Sequence, residues 1–236
     1  MKITELTGVD FESAKHVVAI LPVGSIERHG DHLPLGTDGE LPSHIAEKAG
    51  EKTCSLVLPT VWYGSCHAMR NFPGTFDIDA DALYKYTYSI MEEAMRNGIK
   101  LLVVLNGHGG NTTPLQMAAR QISSRSNLSV LVIDWWRDLG GEKAKLFSSP
   151  GHAGEDETSA MLALKEERIN IWLAGTHEVE YPKIKIYSKS IDEKLYSVAL
   201  TGDAKKATKE KGIELLDASI YDLVKIIADT RALLNL

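Results

Sequence analysis

A chain of 236 residues that is 44% hydrophobic and 25% charged has the composition of a folded globular protein able to bury a core without covalent staples, so disorder is not expected. A formal net charge of -6, with 26 Lys and Arg scattered along the chain, gives no electrostatic basis for binding nucleic acid. No apolar run approaches the roughly 18–20 residues that cross a bilayer, and Met1-Lys2-Ile3-Thr4-Glu5 carries no signal-peptide core, so the expectation is a soluble, cytoplasmic protein acting on a small molecule, with Cys54 and Cys66 as reduced thiols.

Apolar, strand-like runs at 17–24, 55–60, 101–105 and 128–133 alternate with helical patterns. That is the order of parallel β-α-β units and predicts one α/β domain over 1–236. Thr37 and Asp38 can cap a helix from about Gly39 to Ala49 with Gly50 as its stop, and Asp79 can cap a longer one from Ala80 to Asn97, closed by Gly98. In the longer helix Leu83, Tyr86 or Thr87, Ile90, Ala94 and Met95 recur at spacings of three and four, so one face packs on the sheet. A third helix, Thr113 to Ser124, begins where a glycine loop ends. Further on, Lys183-Ile184-Lys185-Ile186-Tyr187 alternates as a strand would, and Asp203 to Leu234 reads as a long amphipathic closing helix with Ile213, Leu216, Ile220, Val224 and Ile227 on one face.

Chemistry-bearing residues gather where the strand runs end. If the first run stays extended into its loop, Glu27 and His29, two residues apart, point to the same side. Mixed carboxylate and imidazole donors suit zinc, manganese or iron; calcium takes oxygens alone, and structural zinc usually takes thiolates. Asn106-Gly107-His108-Gly109-Gly110-Asn111 puts a further donor at a strand end, the carboxyl edge where open α/β sheets bind ligands. Pro150 to Ser159 adds His152 and three acids, Glu155, Asp156 and Glu157, before a helical pattern. The glycines could also present N–H groups to an anion, although no lysine follows them as in a P-loop.

Taken in order, Glu27-Arg28-His29-Gly30 with His32-Leu33-Pro34 and Thr37-Asp38, Phe72-Pro73-Gly74-Thr75, Asn106 to Asn111, His152-Ala153-Gly154-Glu155 with Glu157-Thr158-Ser159, and Thr201-Gly202-Asp203 with Lys211-Gly212 resemble the creatininase (creatinine amidohydrolase) family. The resemblance implies a three-layer sandwich with a mainly parallel central sheet flanked by helices. It also implies a homo-oligomer, a hexamer in creatininase itself, and two divalent metal ions. Glu27 and His108 would hold one ion and His29 the other, with Asp38 bridging, and His152 would be the acid/base residue. Creatininase itself has a glutamate where this chain has Gly110, and Glu155 is expected to supply the missing carboxylate, ahead of Asp156 or Glu157. Trp136, Gly109 and Gly110 are expected to contact substrate.

The implied activity is hydrolysis of a non-peptide C–N bond, in a cyclic amide or formamide, by metal-activated water. The alternatives are a formamidopyrimidine-ribonucleotide deformylase, whose phosphate Arg28, Arg70 or Arg137 could meet, and a metal-binding protein without catalysis.

Overall fold

The computed structural model describes residues 1–184 and 186–236. Four parallel strands form the main sheet: β1 (Val18–Val23), β2 (Leu56–Val57), β3 (Leu101–Asn106) and β4 (Ser129–Asp134), in the order β2-β1-β3-β4. β1 and β3 pair from Val18↔Leu101 to Val23↔Asn106, and β3 and β4 from Leu101↔Ser129 to Asn106↔Asp134. The carboxyl ends of these three strands therefore lie level with one another.

Every residue of β1 and β3 is buried, as two-sided burial of a parallel sheet requires. Side-chain alternation divides them between two cores. Val18, Ile20, Leu101, Val103 and Leu105 pack with Leu41 and Ile45 of α2 (Thr37–Thr53), Met161 of α6 (Glu155–Lys165), and Leu216, Ile220, Leu223 and Ile227 of α8 (Lys209–Leu234). Ala19, Leu21, Val23, Leu102 and Val104 pack with Leu83 and Met91 of α3 (Ala80–Arg96) and Leu115, Ala118 and Ile122 of α4 (Thr112–Ser123). The result is the expected three-layer architecture, with a parallel sheet between two helical layers. The shorter helices are α1 (Gly8–Ala14), α5 (Trp135–Asp138) and α7 (Lys189–Leu195), and a two-stranded antiparallel pair joins β5 (Thr176–His177) to β6 (Gly202–Asp203).

Several boundaries differ from the sequence reading. α2 starts at Thr37, runs through the buried Gly50 and ends at Thr53, where Cys54 takes the left-handed cap and its N–H bonds to the Gly50 carbonyl. α8 begins at Lys209, capped by the Thr208 side chain, because Ala204–Lys206 forms a separate 3-10 turn; Ile213 falls outside its buried stripe. The alternation at 183–187 forms no strand among the described residues: Ile184 and Tyr187 are exposed, and Lys185 lies outside the described residues. No helix among the described residues is long and apolar enough to cross a membrane, and both cysteines are free.

Candidate metal centre and catalytic pocket

Beyond β1 the chain runs from Gly24 to His29 without regular structure, and this loop, the start of α2 and the β3–α4 turn close on one another beyond the sheet's carboxyl edge. A Cβ on Gly107 would stand 1.9 Å from the Asp38 carbonyl oxygen, so glycine there lets the turn after β3 meet α2. His108 thereby comes beside Asp38, with its Nδ1 3.1 Å from Asp38 Oδ2 and 3.3 Å from Glu27 Oε1. On the other side of Asp38, His29 Nε2 is 2.9 Å from Oδ1 and 3.7 Å from Glu157 Oε2. Two donor groups follow, Glu27-Asp38-His108 and His29-Asp38-Glu157, with Asp38 common to both; a third, Glu27-His29-His152, overlaps them.

Each imidazole has its second nitrogen tied to a backbone carbonyl, which selects the tautomer. His29 Nδ1–H donates to the Glu27 carbonyl at 3.0 Å, His108 Nε2–H to that of Ser65 at 3.0 Å, and His152 Nε2–H to that of Arg28 at 2.8 Å. In all three the remaining nitrogen faces the carboxylates, and such outer hydrogen bonds are how metal-ligating histidines are usually oriented.

Burial opposes ionisation of Glu27 and Asp38, yet the neighbouring imidazoles outweigh it: His108 holds Glu27 below its ordinary value, and His29 holds Asp38 well below. For His29, burial is outweighed by Asp38, and the imidazole rises to about 10; His108 is likewise raised, chiefly by Glu27. Burial and the His29 charge push His152 down to about 4, and burial pushes Glu157 up to about 8. The cluster is a set of buried acids needing positive charge. Glu27 Oε1 and Asp38 Oδ2 are buried without a hydrogen-bond partner among the described residues, and leaving such atoms unmatched costs ~1–3 kcal/mol each for neutral groups and more for charged ones. His108 has one proton to offer on Nδ1, and that proton cannot serve both oxygens. A divalent cation would satisfy them, and the carboxylate–imidazole donor set fits zinc, manganese or iron.

The structure separates Glu155 from this cluster. Its Oε2 accepts from the Ser148 and Ser149 N–H groups at 2.8 and 2.9 Å, and its Oε1 pairs with Lys211 Nζ at 2.5 Å. The residue facing His29 is Glu157, whose Oε2 accepts from the Ala153 N–H at 2.7 Å. The reason is helical: α6 starts at Glu155, and positions two apart on a helix are about 200° apart around its axis. Gly110 leaves no room for a side chain, since a Cβ there would lie 1.8 Å from the Ser65 carbonyl oxygen and 2.7 Å from His108 Nε2. His32 bonds Thr158 through Nε2 at 2.8 Å, tying the β1 loop to α6.

A cavity of about 720 Å³ opens over the cluster, within the ~300–1,000 Å³ usual for small-molecule sites. His152, Gly109, Gly110 and Trp136 line it, as do Cys66 and His67. The sequence reading did not place in the pocket its aromatic wall, Tyr181, Tyr187 and Tyr196, of which the first two precede the short helix α7 and the third stands at its end. The Tyr196 ring stands edge-on to His152, with centroids 6.1 Å apart. Thr201 pins the His152 backbone, accepting from its N–H at 2.9 Å and donating to its carbonyl at 2.8 Å. Arg28 is held by Asp31 and the Gly30 carbonyl, and Arg137 by Asp134 and Asp138. Neither lines the cavity, and Arg70 lines a smaller neighbouring one of about 270 Å³.

Carboxylates and imidazoles gathered at the carboxyl ends of parallel strands form the kind of site that metal-assisted hydrolases use. A family model for creatininase, creatinine amidohydrolase, matches residues 4–227, and the chain belongs to the creatininase family of hydrolases. It is 26% identical to the creatinine amidohydrolase of Pseudomonas putida, over 95% of both chains. It is 28% identical to a mycofactocin precursor peptide peptidase of Mycobacterium ulcerans, over 89% of this chain and 84% of the relative. A 2-amino-5-formylamino-6-ribosylaminopyrimidin-4(3H)-one 5'-monophosphate deformylase of Methanocaldococcus infernus is 26% identical, over 97% and 99% of the two chains. The crystal structure of a creatinine amidohydrolase (creatininase) superposes with a TM-score of 0.86 at 26% identity, covering 97% of each chain.

Proposed function

We propose that the protein is a dinuclear metal-dependent amidohydrolase that cleaves a non-peptide C–N bond, in a cyclic amide or formamide, of a small molecule. Glu27 and His108 would hold one ion, His29 and Glu157 the other, and Asp38 would bridge; Glu157 takes the role first expected of Glu155. When bound, such a pair polarises a carbonyl and makes water acidic enough to attack at neutral pH. The chain's own residues do the rest. His152 keeps Nε2–H on the Arg28 carbonyl and turns Nδ1 toward the pocket, 3.5 Å from Glu27 Oε1. From there it can take a proton and deliver it to the departing nitrogen, the step amide hydrolysis needs. Trp136, Gly109, Gly110 and the three tyrosines exclude water and orient the substrate.

The observation that carries this reading is the pair of donor groups sharing Asp38, with two buried carboxylate oxygens left unmatched. A phosphate-bearing substrate draws less support: Arg28 and Arg137 are occupied by carboxylates, and no described residue lining the cavity is Lys or Arg. The same reading takes 1–236 as one catalytic domain of a cytoplasmic homo-oligomer, for which the exposed apolar group Ile171, Trp172 and Leu173 offers a contact surface.

The test is a hydrolysis screen of zinc- or manganese-loaded protein against creatinine, a formamidopyrimidine monitored for formate release, and a short peptide. Turnover of a small amide is expected, and His152→Gln should lower it at least ~100-fold with metal content unchanged. Hydrolysis of none of them would leave a metal-binding protein without catalysis.

A further inference from the structure

Asn106 ends β3 and Asp134 ends β4, and the two are register partners, both buried. The Asn106 side chain folds back over its own turn. Its Nδ2 donates to the His108 carbonyl at 2.7 Å and to Asp134 Oδ1 at 2.8 Å, and its Oδ1 accepts from the His108 N–H at 3.1 Å. Both peptide groups of His108 are thus held by one amide.

An amide can be seated either way round unless a neighbour dictates the choice. The Asp134 carboxylate accepts only, so it requires Nδ2 on its side; turned over, Asn106 would set an oxygen against a carboxylate and lose both bonds to His108. Asp134 is itself held in place, with Oδ2 accepting from Thr112 Oγ1 at 2.9 Å and from Arg137 Nη1 at 2.9 Å. With the ring fixed at its far side by the Ser65 carbonyl, the backbone restraint leaves Nδ1 aimed at Glu27 and Asp38.

We infer that Asp134 is a positioning residue that acts through Asn106 on His108 and sets the affinity of the ion His108 holds, leaving the ion at His29 largely untouched. This rests on the reading of His108 as a metal ligand. A merely structural carboxylate at the sheet edge would change stability without distinguishing between the two ions.

The experiment is zinc competition against a chromophoric chelator, on the full chain, for wild type, Asp134→Asn, Asn106→Asp, Thr112→Val and the double variant N106D/D134N. Wild type is expected to bind two zinc ions. Asp134→Asn should weaken one of them ~10–100-fold, the usual effect of losing a ligand's supporting hydrogen bond, and leave the other within about threefold. Asn106→Asp should do the same, and the double variant should be no weaker than the weaker single one, because both changes break one link. Equal zinc affinities in Asp134→Asn and wild type, or losses that add in the double variant, would overturn the inference. If Asp134→Asn does not fold, Thr112→Val decides: it removes the bond to Asp134 Oδ2 and the 3.3 Å bond that Thr112 Oγ1 accepts from Asn106 Nδ2, so it should weaken the same ion at least about threefold, and no change would overturn the inference. A wild type that binds no zinc would instead refute the metal reading itself.

Discussion

Glu155 and Glu157, two positions apart, face different surroundings, and only Glu157 stands where the proposed second ion would need a donor. Both sit in the first turn of α6, where the helix N-terminus favours negative charge, yet one is neutralised by Lys211 and the other faces His29. Glu157→Ala is expected to lower bound metal from two ions to one per chain, and Glu155→Ala to leave two, measured by elemental analysis of the dialysed proteins. The reverse pattern would restore Glu155 as the donor. The convergence of Glu27 and His29 was expected from a period of two and that of His108 from its place at a strand end, whereas Asp38 entered through the family resemblance; the structure brings all four side chains together. Which of three consecutive acids would face His29 was not legible, since it depends on the residue at which α6 starts and on how the helix is turned. Lys211, 56 positions away in sequence, gave no local hint that Glu155 was already engaged.

At the level of elements, the pair Glu155–Lys211 joins the start of α6 to the first turn of α8, beside the apolar contact of Met161 with the α8 stripe. Lys211→Met would leave the buried Glu155 carboxylate with only the Ser148 and Ser149 N–H groups and the Ser148 hydroxyl as partners. Because the lysine is about a third exposed, the expected cost is ~1–2 kcal/mol, below that of breaking a fully buried pair. Urea denaturation should show it as a lower midpoint with an unchanged slope, and an unchanged midpoint would mean that Ser148 and Ser149 alone suffice. The β-α alternation was readable because β1 and β3 are short continuous apolar runs and α3 and α4 carry apolar residues at helical spacing. The 178–200 segment was not: its alternation at 183–187 promised a strand, whereas Ile186 and Tyr187 line the cavity instead. Side chains that serve a pocket obey the ligand's shape, and no secondary-structure period records that.

Across the whole molecule, the three strand ends, α2 and α6 converge on a cluster whose buried carboxylates are incompletely matched by protons. Bound cations should therefore stabilise the fold as well as the site. A ligand present at about a thousand times its dissociation constant adds ~4 kcal/mol, which for a chain of this size is about 8–16 °C in melting temperature. Stripping metal with a chelator should lower the melting temperature by an amount of that order, with recovery on adding zinc or manganese; melting curves that coincide would indicate that protons alone satisfy the cluster.

The most direct measurement is anomalous diffraction from crystals of the metal-loaded protein. Two peaks should lie on either side of the Asp38 carboxylate, one against Glu27 and His108 and the other against His29 and Glu157. A single peak, or a map with no anomalous density at Asp38, would contradict the dinuclear centre.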